Sequence, residues 1–181
     1  MNKIPNLLTI IRILSVPFLV FTILSSSNFY NIIAVFLFIS ISITDYLDGF
    51  LARKMKVESK FGEMLDPIAD KILIICVLIA LLINQTINGL SIIPAYLIIS
   101  REIFISGLRE FYSSNSSSKL KVSYLGKIKT AIQMLSLIIL ISSQIIELNN
   151  LYIISIGILL LWISMIFTVV SGYQYYKKIF S

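Results

Sequence analysis

The sequence predicts an all-α protein that crosses a membrane six times, with a short helix lying at the interface before the first span. Three observations predict this class. Of the 181 residues, 57% are hydrophobic and only 13% are charged, whereas about a quarter of the residues of a soluble domain are charged. The apolar residues form runs close to the roughly 20 residues that span a bilayer. Lys and Arg, apart from Arg101, fall in or near alternate connections between those runs.

Six apolar runs supply the predicted spans. The third run is short, so we expect its helix to begin outside the membrane, near Lys60 or Gly62. The segment before Arg12 predicts the short interfacial helix, because it is apolar on one side and ends at a charge. No duplication is visible, so residues 1–181 are predicted to form one domain. The runs are Leu7–Ser26, Phe29–Phe50, Ile68–Ile83, Leu90–Phe111, Ile128–Ile146 and Leu151–Tyr173.

The basic residues predict the orientation of the spans. If the N-terminus is cytoplasmic, every Lys and Arg except Arg101 falls on or near the cytoplasmic side, and the turns SSSN, NQTING and ELNN on the other side carry none. Cytoplasmic loops are enriched in these residues, so we expect an integral protein of the cell membrane with both termini in the cytoplasm. The net charge of +6 fits basic loops beside anionic lipid headgroups, and no nucleic-acid partner is expected.

Three further features narrow the chemistry. Arg12 interrupts the apolar N-terminal run and no small-x-small cleavage site follows, so we expect this segment to be retained rather than removed as a signal peptide. Cys76 is the only cysteine, which excludes an internal disulfide and favours a packing role. The chain has no histidine, which excludes histidine triads, histidine bases and histidine metal ligands.

Four aspartates lie between the second and third apolar runs, in the stretch TDYLDGFLARKMKVESKFGEMLDPIADK. Asp45 and Asp48 are three residues apart and Asp66 and Asp70 are four apart, so each pair shares a helix face. A charge at bilayer depth costs about 3 kcal/mol on insertion scales, and this cost indicates a bound counter-charge. Carboxylate oxygens without nitrogen or sulfur favour Mg²⁺ or Mn²⁺, and two such ions form the usual clamp for displacement at phosphorus.

Small residues lie on the same helix faces as the aspartates. Gly49 and Ala52 follow Asp48 by one and four positions, and Gly62 precedes Asp66 by four. A bare backbone there would let a phosphate or a flat ligand approach. Close helix–helix packing is the alternative, because small residues also permit it in membranes.

The combined spacing resembles the signature of the CDP-alcohol phosphotransferase family. The pattern is D-x-x-D-G-x-x-A-R, eight further residues, and then G-x-x-x-D-x-x-x-D, from Asp45 to Asp70. The resemblance implies a six-helix membrane fold, usually dimeric, that transfers a phosphatidyl-type group from a CDP-linked lipid to an alcohol and releases CMP.

The resemblance also implies roles for the matching residues. The four aspartates, Asp45, Asp48, Asp66 and Asp70, would hold two divalent cations against the pyrophosphate, and Asp70 would be the general base. From the residues alone, base and ligand remain open for Asp70, although a carboxylate beside the attacking hydroxyl can take its proton. The cytidine nucleotide would be lined by Asp48, Gly49, Ala52, Arg53 and Gly62.

Asn6 and Thr9, three residues apart near the predicted cytoplasmic surface, share one helix face. We expect them to contact the nucleotide. Helix capping is the alternative role for both side chains.

The acceptor is predicted from three stretches: KIPNLLTIIRI, SREIFISGLREF and GKIKTAIQM. Over residues 2–134 they resemble the family members whose acceptor is glycerol 3-phosphate. Arg101 lies eight residues before Arg109, about 12 Å deeper at 1.5 Å per residue, so it should face an internal polar cavity. Arg101, Arg109 and Lys127 are predicted to bind the acceptor phosphate. An ion pair with Glu102 or Glu110 is the alternative role for Arg101.

The expected partners are therefore CDP-diacylglycerol, glycerol 3-phosphate, the bilayer and a second copy of the chain. Two alternatives stay within the family: a cardiolipin synthase of the CDP-alcohol type and a phosphatidylinositol phosphate synthase. A divalent-cation transporter is the alternative from another class, because acidic residues in membranes often mark ion routes. The clustering of the aspartates at one end of the spans argues against such a route.

Overall fold

Six α-helices and one 3₁₀ turn make up most of the chain that the structure, a computed structural model, describes. Backbone is described for residues 3–25, 27–55, 60–115, 124–145 and 150–180, and side chains for 9–25, 27–44, 65, 67–112, 125–145 and 151–177. No strand occurs within these ranges, which confirms the all-α class. The helices are α1 Lys3–Leu24, α2 Asn28–Met55, α3 Lys60–Ile83, α4 Ile92–Asn115, α5 Tyr124–Ser142 and α6 Asn150–Phe180, and the 3₁₀ turn Gly89–Ser91 precedes α4.

The N-terminal segment differs from its prediction. Instead of a short interfacial helix followed by a separate span, α1 is one continuous helix from Lys3 to Leu24. Pro5 lies in its first turn, where proline is tolerated because the first amide groups have no helical acceptor. No helix-breaking residue lies between there and Arg12, so the helix continues. The start of α3 is as expected, since this helix is already formed at Lys60.

The helices divide into two compact units. The first contains residues 1–84 and 141–147, with α1, α2 and α3, and the second contains 85–140 and 148–181, with α4, most of α5 and α6. These units are clusters of packed helices. A single domain over residues 1–181 stays a prediction.

In the first unit, α1 packs against both α2 and α3. Its buried positions recur every three or four residues, which is the spacing of one helix face. At the far end of this unit, the Asn84 Nδ2 donates to the carbonyl of Ile23 at 3.2 Å and fastens the end of α3 to the end of α1. The buried face of α1 is formed by Thr9, Arg12, Val16, Leu19 and Ile23.

In the second unit, α4 packs against α6, and α5 contacts α6 through a glycine. A Cβ added to Gly157 would lie 2.7 Å from Leu140 Cδ2, so the absence of a side chain allows close approach. The Ser136 hydroxyl donates to the Gly157 carbonyl at 2.8 Å. Small residues and such hydrogen bonds are the usual contacts between helices in lipid.

The surface of the described helices fits a membrane. Three stretches are long and apolar enough to cross one, Gly89–Tyr112, Leu125–Ser142 and Leu151–Lys177, and two shorter apolar helices are Thr9–Leu24 and Asn28–Thr44. Large apolar side chains such as Leu14 and Phe36 are 71% exposed, as expected where lipid replaces water. The chain is therefore an all-helical integral membrane protein, and six spans remain a prediction.

Candidate active site

The first unit contains the predicted acidic residues, and Asp70 is the one whose side chain is described. Asp70 lies on α3 and its side chain is 45% exposed. The Nη1 of Arg12, on α1, lies 3.8 Å from the Asp70 Oδ1, and the Arg12 side chain is only 4% exposed. A cation this deeply buried needs an anionic neighbour, because desolvation penalises its charge. The fold therefore brings a buried positive charge to the edge of the predicted metal site.

The other three aspartates lie in described helices, but their side chains fall outside the described residues. α2 is helical through Asp45 and Asp48, and α3 is helical through Asp66 and Asp70. Spacings of three and four therefore both occur within continuous helix, as predicted. Among the residues whose side chains are described, no group of three or more potential metal ligands occurs, so the metal site stays a prediction.

Most of the predicted nucleotide contacts also have side chains outside the described residues. These are Asn6, Gly49, Ala52, Arg53 and Gly62, all within helical backbone. Thr9 is described and is 3% exposed. It lies one helical turn before Arg12 on the buried face of α1, so its hydroxyl is on the same side of α1 as the cation beside Asp70.

The second unit contains a cluster of basic residues, in which two cations pair with one carboxylate. Glu102, on α4, is 7% exposed. Its Oε1 accepts a hydrogen bond from the Nζ of the buried Lys129 on α5 and lies 3.5 Å from the Nη1 of Arg101. The ion pair with Glu102, which was the alternative role for Arg101, is therefore present, whereas Glu110 lies on the exposed side of α4.

Both arginines of α4 also bind side chains of α6. The Arg101 Nη2 donates to the Ser171 hydroxyl at 3.0 Å, and the Arg109 Nη2 donates to the Tyr175 hydroxyl at 2.7 Å. The Arg109 guanidinium also lies over the Tyr175 ring, 4.6 Å from its centroid, a cation–π distance. Among the described residues, the Nε atoms of both arginines are buried without a hydrogen-bond partner. These N–H groups suit an acceptor-rich ligand, because an unsatisfied buried donor is costly.

The lysine nearest to these arginines differs from the one predicted. Lys127 lies at an exposed position of α5, and Lys129, two residues further on, is 5% exposed and binds Glu102. Two residues correspond to about 200° around a helix, so the two lysines point to nearly opposite sides. Lys127 stays a predicted phosphate ligand, and Lys129 joins the buried cations.

Four residues of this arrangement were missed by the sequence analysis as site residues: Arg12, Lys129, Ser171 and Tyr175. Arg12 and Lys129 carried a usable signal, since each is a charge on an otherwise apolar helix face. Ser171 and Tyr175 belong to the motif SGYQY in the last apolar run. Their arginine partners lie 66 to 70 residues earlier, so local spacing could not connect them.

A groove of about 520 Å³ opens between α4 and α6 beside Arg101. Most of its lining is apolar or aromatic, and Ser100 and Arg101 contribute polar atoms. The groove leaves one side of Arg101 open, so this arginine is not enclosed completely by its partners. The lining includes Leu97, Phe104, Ile105, Val169 and Tyr173.

Comparison with known proteins places the chain in a family. The family model of the CDP-alcohol phosphatidyltransferases matches residues 2–170, which is most of the chain and includes all the residues just described except Ser171, Tyr173 and Tyr175. The chain therefore belongs to the CDP-alcohol phosphatidyltransferase family. Members of this family generally use divalent metal ions.

Three individual relatives show which members of the family this chain is similar to. A Rickettsia bellii protein is 41% identical over 176 residues, covering 97% of this chain and 94% of the relative. A Rickettsia felis protein is 41% identical over 180 residues, with the same coverage. A Haemophilus influenzae protein is 39% identical over 174 residues, covering 96% and 91%. All three are named CDP-diacylglycerol–glycerol-3-phosphate 3-phosphatidyltransferase.

Proposed function

We propose that this chain transfers the phosphatidyl group of CDP-diacylglycerol to sn-glycerol 3-phosphate, giving phosphatidylglycerophosphate and CMP in phospholipid biosynthesis. The observation that carries this proposal is the extent of the match. Relatives named for this reaction align with nearly the whole of this chain and nearly the whole of their own length. The protein is thus a phosphatidyltransferase of the membrane.

The cations of α4 support a phosphorylated acceptor. Arg101 and Arg109 would bind the phosphate of glycerol 3-phosphate, because guanidinium groups match phosphate oxygens well. Their buried Nε donors without partners are suitable for this task. Lys127 is the proposed third phosphate ligand. Lys129, which is paired with Glu102, adds a buried positive charge.

Asp70 is proposed as the general base of the transfer. The acceptor hydroxyl oxygen forms a bond to the phosphorus that carries the diacylglyceryl group, the bond from this phosphorus to the CMP oxygen breaks, and CMP leaves. The hydroxyl proton passes to the Asp70 carboxylate. The partial exposure of Asp70 supports this role, because a sealed carboxylate would be inaccessible to a substrate hydroxyl.

The four carboxylates fit divalent cations by the chemistry of their oxygen donors. Asp45, Asp48, Asp66 and Asp70 would hold two Mg²⁺ or Mn²⁺ ions. When bound, these ions would neutralise charge on the pyrophosphate and make CMP a better leaving group. Asn6, Thr9, Asp48, Gly49, Ala52, Arg53 and Gly62 are the proposed contacts to the cytidine nucleotide.

The orientation and assembly of the chain are part of the proposal. Both termini and the active site would face the cytoplasm, because the basic loops lie on that side under the positive-inside rule. The cell membrane is the expected location, in keeping with the bacterial relatives. A homodimer is proposed from the family resemblance.

The test is an acceptor panel with purified protein in lipid nanodiscs. CDP-diacylglycerol and Mg²⁺ are supplied with glycerol 3-phosphate, phosphatidylglycerol, inositol phosphate or free glycerol, and CMP release is measured. We expect CMP release with glycerol 3-phosphate, and very little with free glycerol, which lacks the phosphate. Release with phosphatidylglycerol or inositol phosphate in place of glycerol 3-phosphate would overturn the substrate assignment.

The same preparation tests the metal requirement. Excess EDTA should abolish CMP release, and added Mg²⁺ or Mn²⁺ should restore it. Undiminished turnover in EDTA would contradict the metal proposal. Mg²⁺ flux across protein-containing vesicles without CMP release would favour the transporter alternative instead.

A further inference from the structure

The last helix carries a stripe of polar side chains inside the second unit. Ser164, Thr168, Ser171 and Tyr175 follow one another at intervals of four, three and four residues, which is the spacing of a single helix face. All four are buried, at 0%, 0%, 0% and 4% exposure, in a helix that is otherwise almost wholly apolar. Burying polar groups in an apolar setting is unfavourable unless they bind partners, so this stripe needs a reason.

Two members of the stripe bind the arginines of α4. The Ser171 hydroxyl accepts a hydrogen bond from Arg101 and donates a second hydrogen bond to the Thr168 carbonyl at 3.1 Å. This second bond fixes the direction of the serine hydroxyl, so its lone pairs face Arg101. Tyr175, one turn further on, holds Arg109 both through its hydroxyl and through its ring.

Gly172 lies between these two contacts and makes room for the first arginine. A Cβ at this position would lie 3.2 Å from the Arg101 Nε and 3.4 Å from its Cγ. Even a methyl group would therefore press on the side chain at the atom that has no hydrogen-bond partner. Because Gly172 has no side chain, it does not displace the Nε–H group of Arg101, and the other contacts of Arg101 set the position of this group.

We propose that Ser171, Gly172 and Tyr175 of α6 are positioning residues, which hold Arg101 and Arg109 in the orientation that binds the acceptor phosphate. This inference rests on the proposed function, in which those arginines contact the phosphate. Each α6 hydroxyl takes one Nη2 donor of an arginine with five N–H groups, so most donors remain for the ligand. A flexible arginine is thereby fixed in advance, which lowers the entropy lost on binding.

Glu102 supplies a further contact to Arg101. It pairs with the Arg101 Nη1 and with Lys129, while Ser171 holds Nη2. The two terminal nitrogens of Arg101 are therefore held by different helices. Among the described residues of α6, Arg109 contacts Tyr175 through both its hydroxyl and its ring, so we expect Arg109 to depend more strongly on this helix.

Two substitutions test the proposal with little change in volume. Tyr175→Phe removes the hydroxyl and keeps the ring, and Ser171→Ala removes the hydroxyl acceptor. Tyr152→Phe and Ser155→Ala are matched controls on α6, because Tyr152 is 77% exposed and the Ser155 hydroxyl binds the carbonyl of Leu151 in its own helix. CMP release is measured in nanodiscs while glycerol 3-phosphate and CDP-diacylglycerol are varied separately.

We expect each test variant to raise the KM for glycerol 3-phosphate by about 10- to 150-fold, the range for a lost hydrogen bond to a charged group. The KM for CDP-diacylglycerol should stay within about twofold of wild type, because that substrate does not depend on these arginines. Both controls should match wild type for both substrates. Ser171→Thr, which restores a hydroxyl, should recover part of the loss.

Other outcomes separate the two proposals. If Arg101→Ala raises the KM for glycerol 3-phosphate but neither Tyr175→Phe nor Ser171→Ala does, the positioning role is wrong and the acceptor site stands. If the α6 variants raise both KM values equally, or act only by lowering the melting temperature, they have a merely structural role and the inference fails. If Arg101→Ala affects both substrates equally, the acceptor site itself is wrong.

Discussion

Asp70 is the residue on which the proposed chemistry depends most directly. Asp70→Asn keeps the shape of the side chain but removes both the charge and the proton acceptor. We expect CMP release to fall below detection while the protein stays folded, with a melting temperature in detergent somewhat below that of wild type, because the buried Arg12 loses its anionic neighbour. Measurable turnover in this variant would show that another group accepts the proton.

Arg101 tests the acceptor site at the level of a single side chain. Arg101→Ala should raise the KM for glycerol 3-phosphate much more than the KM for CDP-diacylglycerol, because only the acceptor would contact this guanidinium. Arg101→Lys keeps the charge but loses the planar fork, so its KM should fall between those of wild type and Arg101→Ala. Steady-state CMP release with each substrate varied in turn gives both values.

The sequence predicted individual site residues where chemistry and spacing were local. Asp70 belongs to a spaced signature, and Arg101 is a lone cation in an apolar run, so both could be found without a structure. The partners of Arg101 and Arg109 could not. Ser171 and Tyr175 look like ordinary polar residues near the end of a span, and only the packing of α6 against α4 gives them a function.

The choice between Lys127 and Lys129 shows a similar limit. Both follow the same glycine and both are basic, so composition cannot separate them. The phase of α5 decides which one is buried, and that phase is set by contacts with neighbouring helices.

At the level of helices, replacing two different glycines by alanine should change stability in opposite directions. A Cβ at Gly157 would lie 2.7 Å from the fully buried Leu140 side chain, whereas a Cβ at Gly107 would meet nothing within 4 Å. Gly157→Ala should therefore lower stability, because overpacking costs about 1–3 kcal/mol against a helix-propensity gain of about 1 kcal/mol. Gly107→Ala should have only the gain in helix propensity, so it is the matched control.

Melting temperatures of the two glycine variants in the same detergent would check this pair. The expected order is Gly107→Ala at or above wild type and Gly157→Ala below it. An unchanged melting temperature for Gly157→Ala would mean that Leu140 moves aside without cost, which would contradict the tight contact between α5 and α6.

Helix number was predictable and helix ends were not. Six apolar runs correspond to six helices, because a run of about 20 apolar residues indicates a membrane helix by its length and apolarity alone. The ends differ because hydropathy marks the lipid boundary, whereas a helix ends where backbone hydrogen bonding ends. α2 thus continues to Met55 and α6 to Phe180, and α1 begins at Lys3 without the break expected near Arg12.

For the whole molecule, the single cysteine gives a direct test of orientation. In a Cys76→Ser background, Asn88→Cys places a thiol in the turn NQTING, and Ser117→Cys places one in the basic stretch SSNSSSKLKVSYLGKIK between the fourth and fifth apolar runs. A membrane-impermeant maleimide added to intact spheroplasts should label Asn88→Cys, and it should label Ser117→Cys only after permeabilisation. The reverse pattern would overturn the proposed cytoplasmic side, because it would place the basic loops outside.

The imbalance of charge around Glu102 has a consequence for the enzyme between turnovers. Among the described residues of the second unit, Arg101 and Lys129 share this one buried carboxylate, which leaves an excess of one positive charge. Such an excess attracts a counter-ion from the cytosol, so the resting protein should seldom be empty. We expect inorganic phosphate at millimolar concentration to compete with glycerol 3-phosphate but not with CDP-diacylglycerol, so that cellular phosphate levels restrain the rate at which the enzyme works.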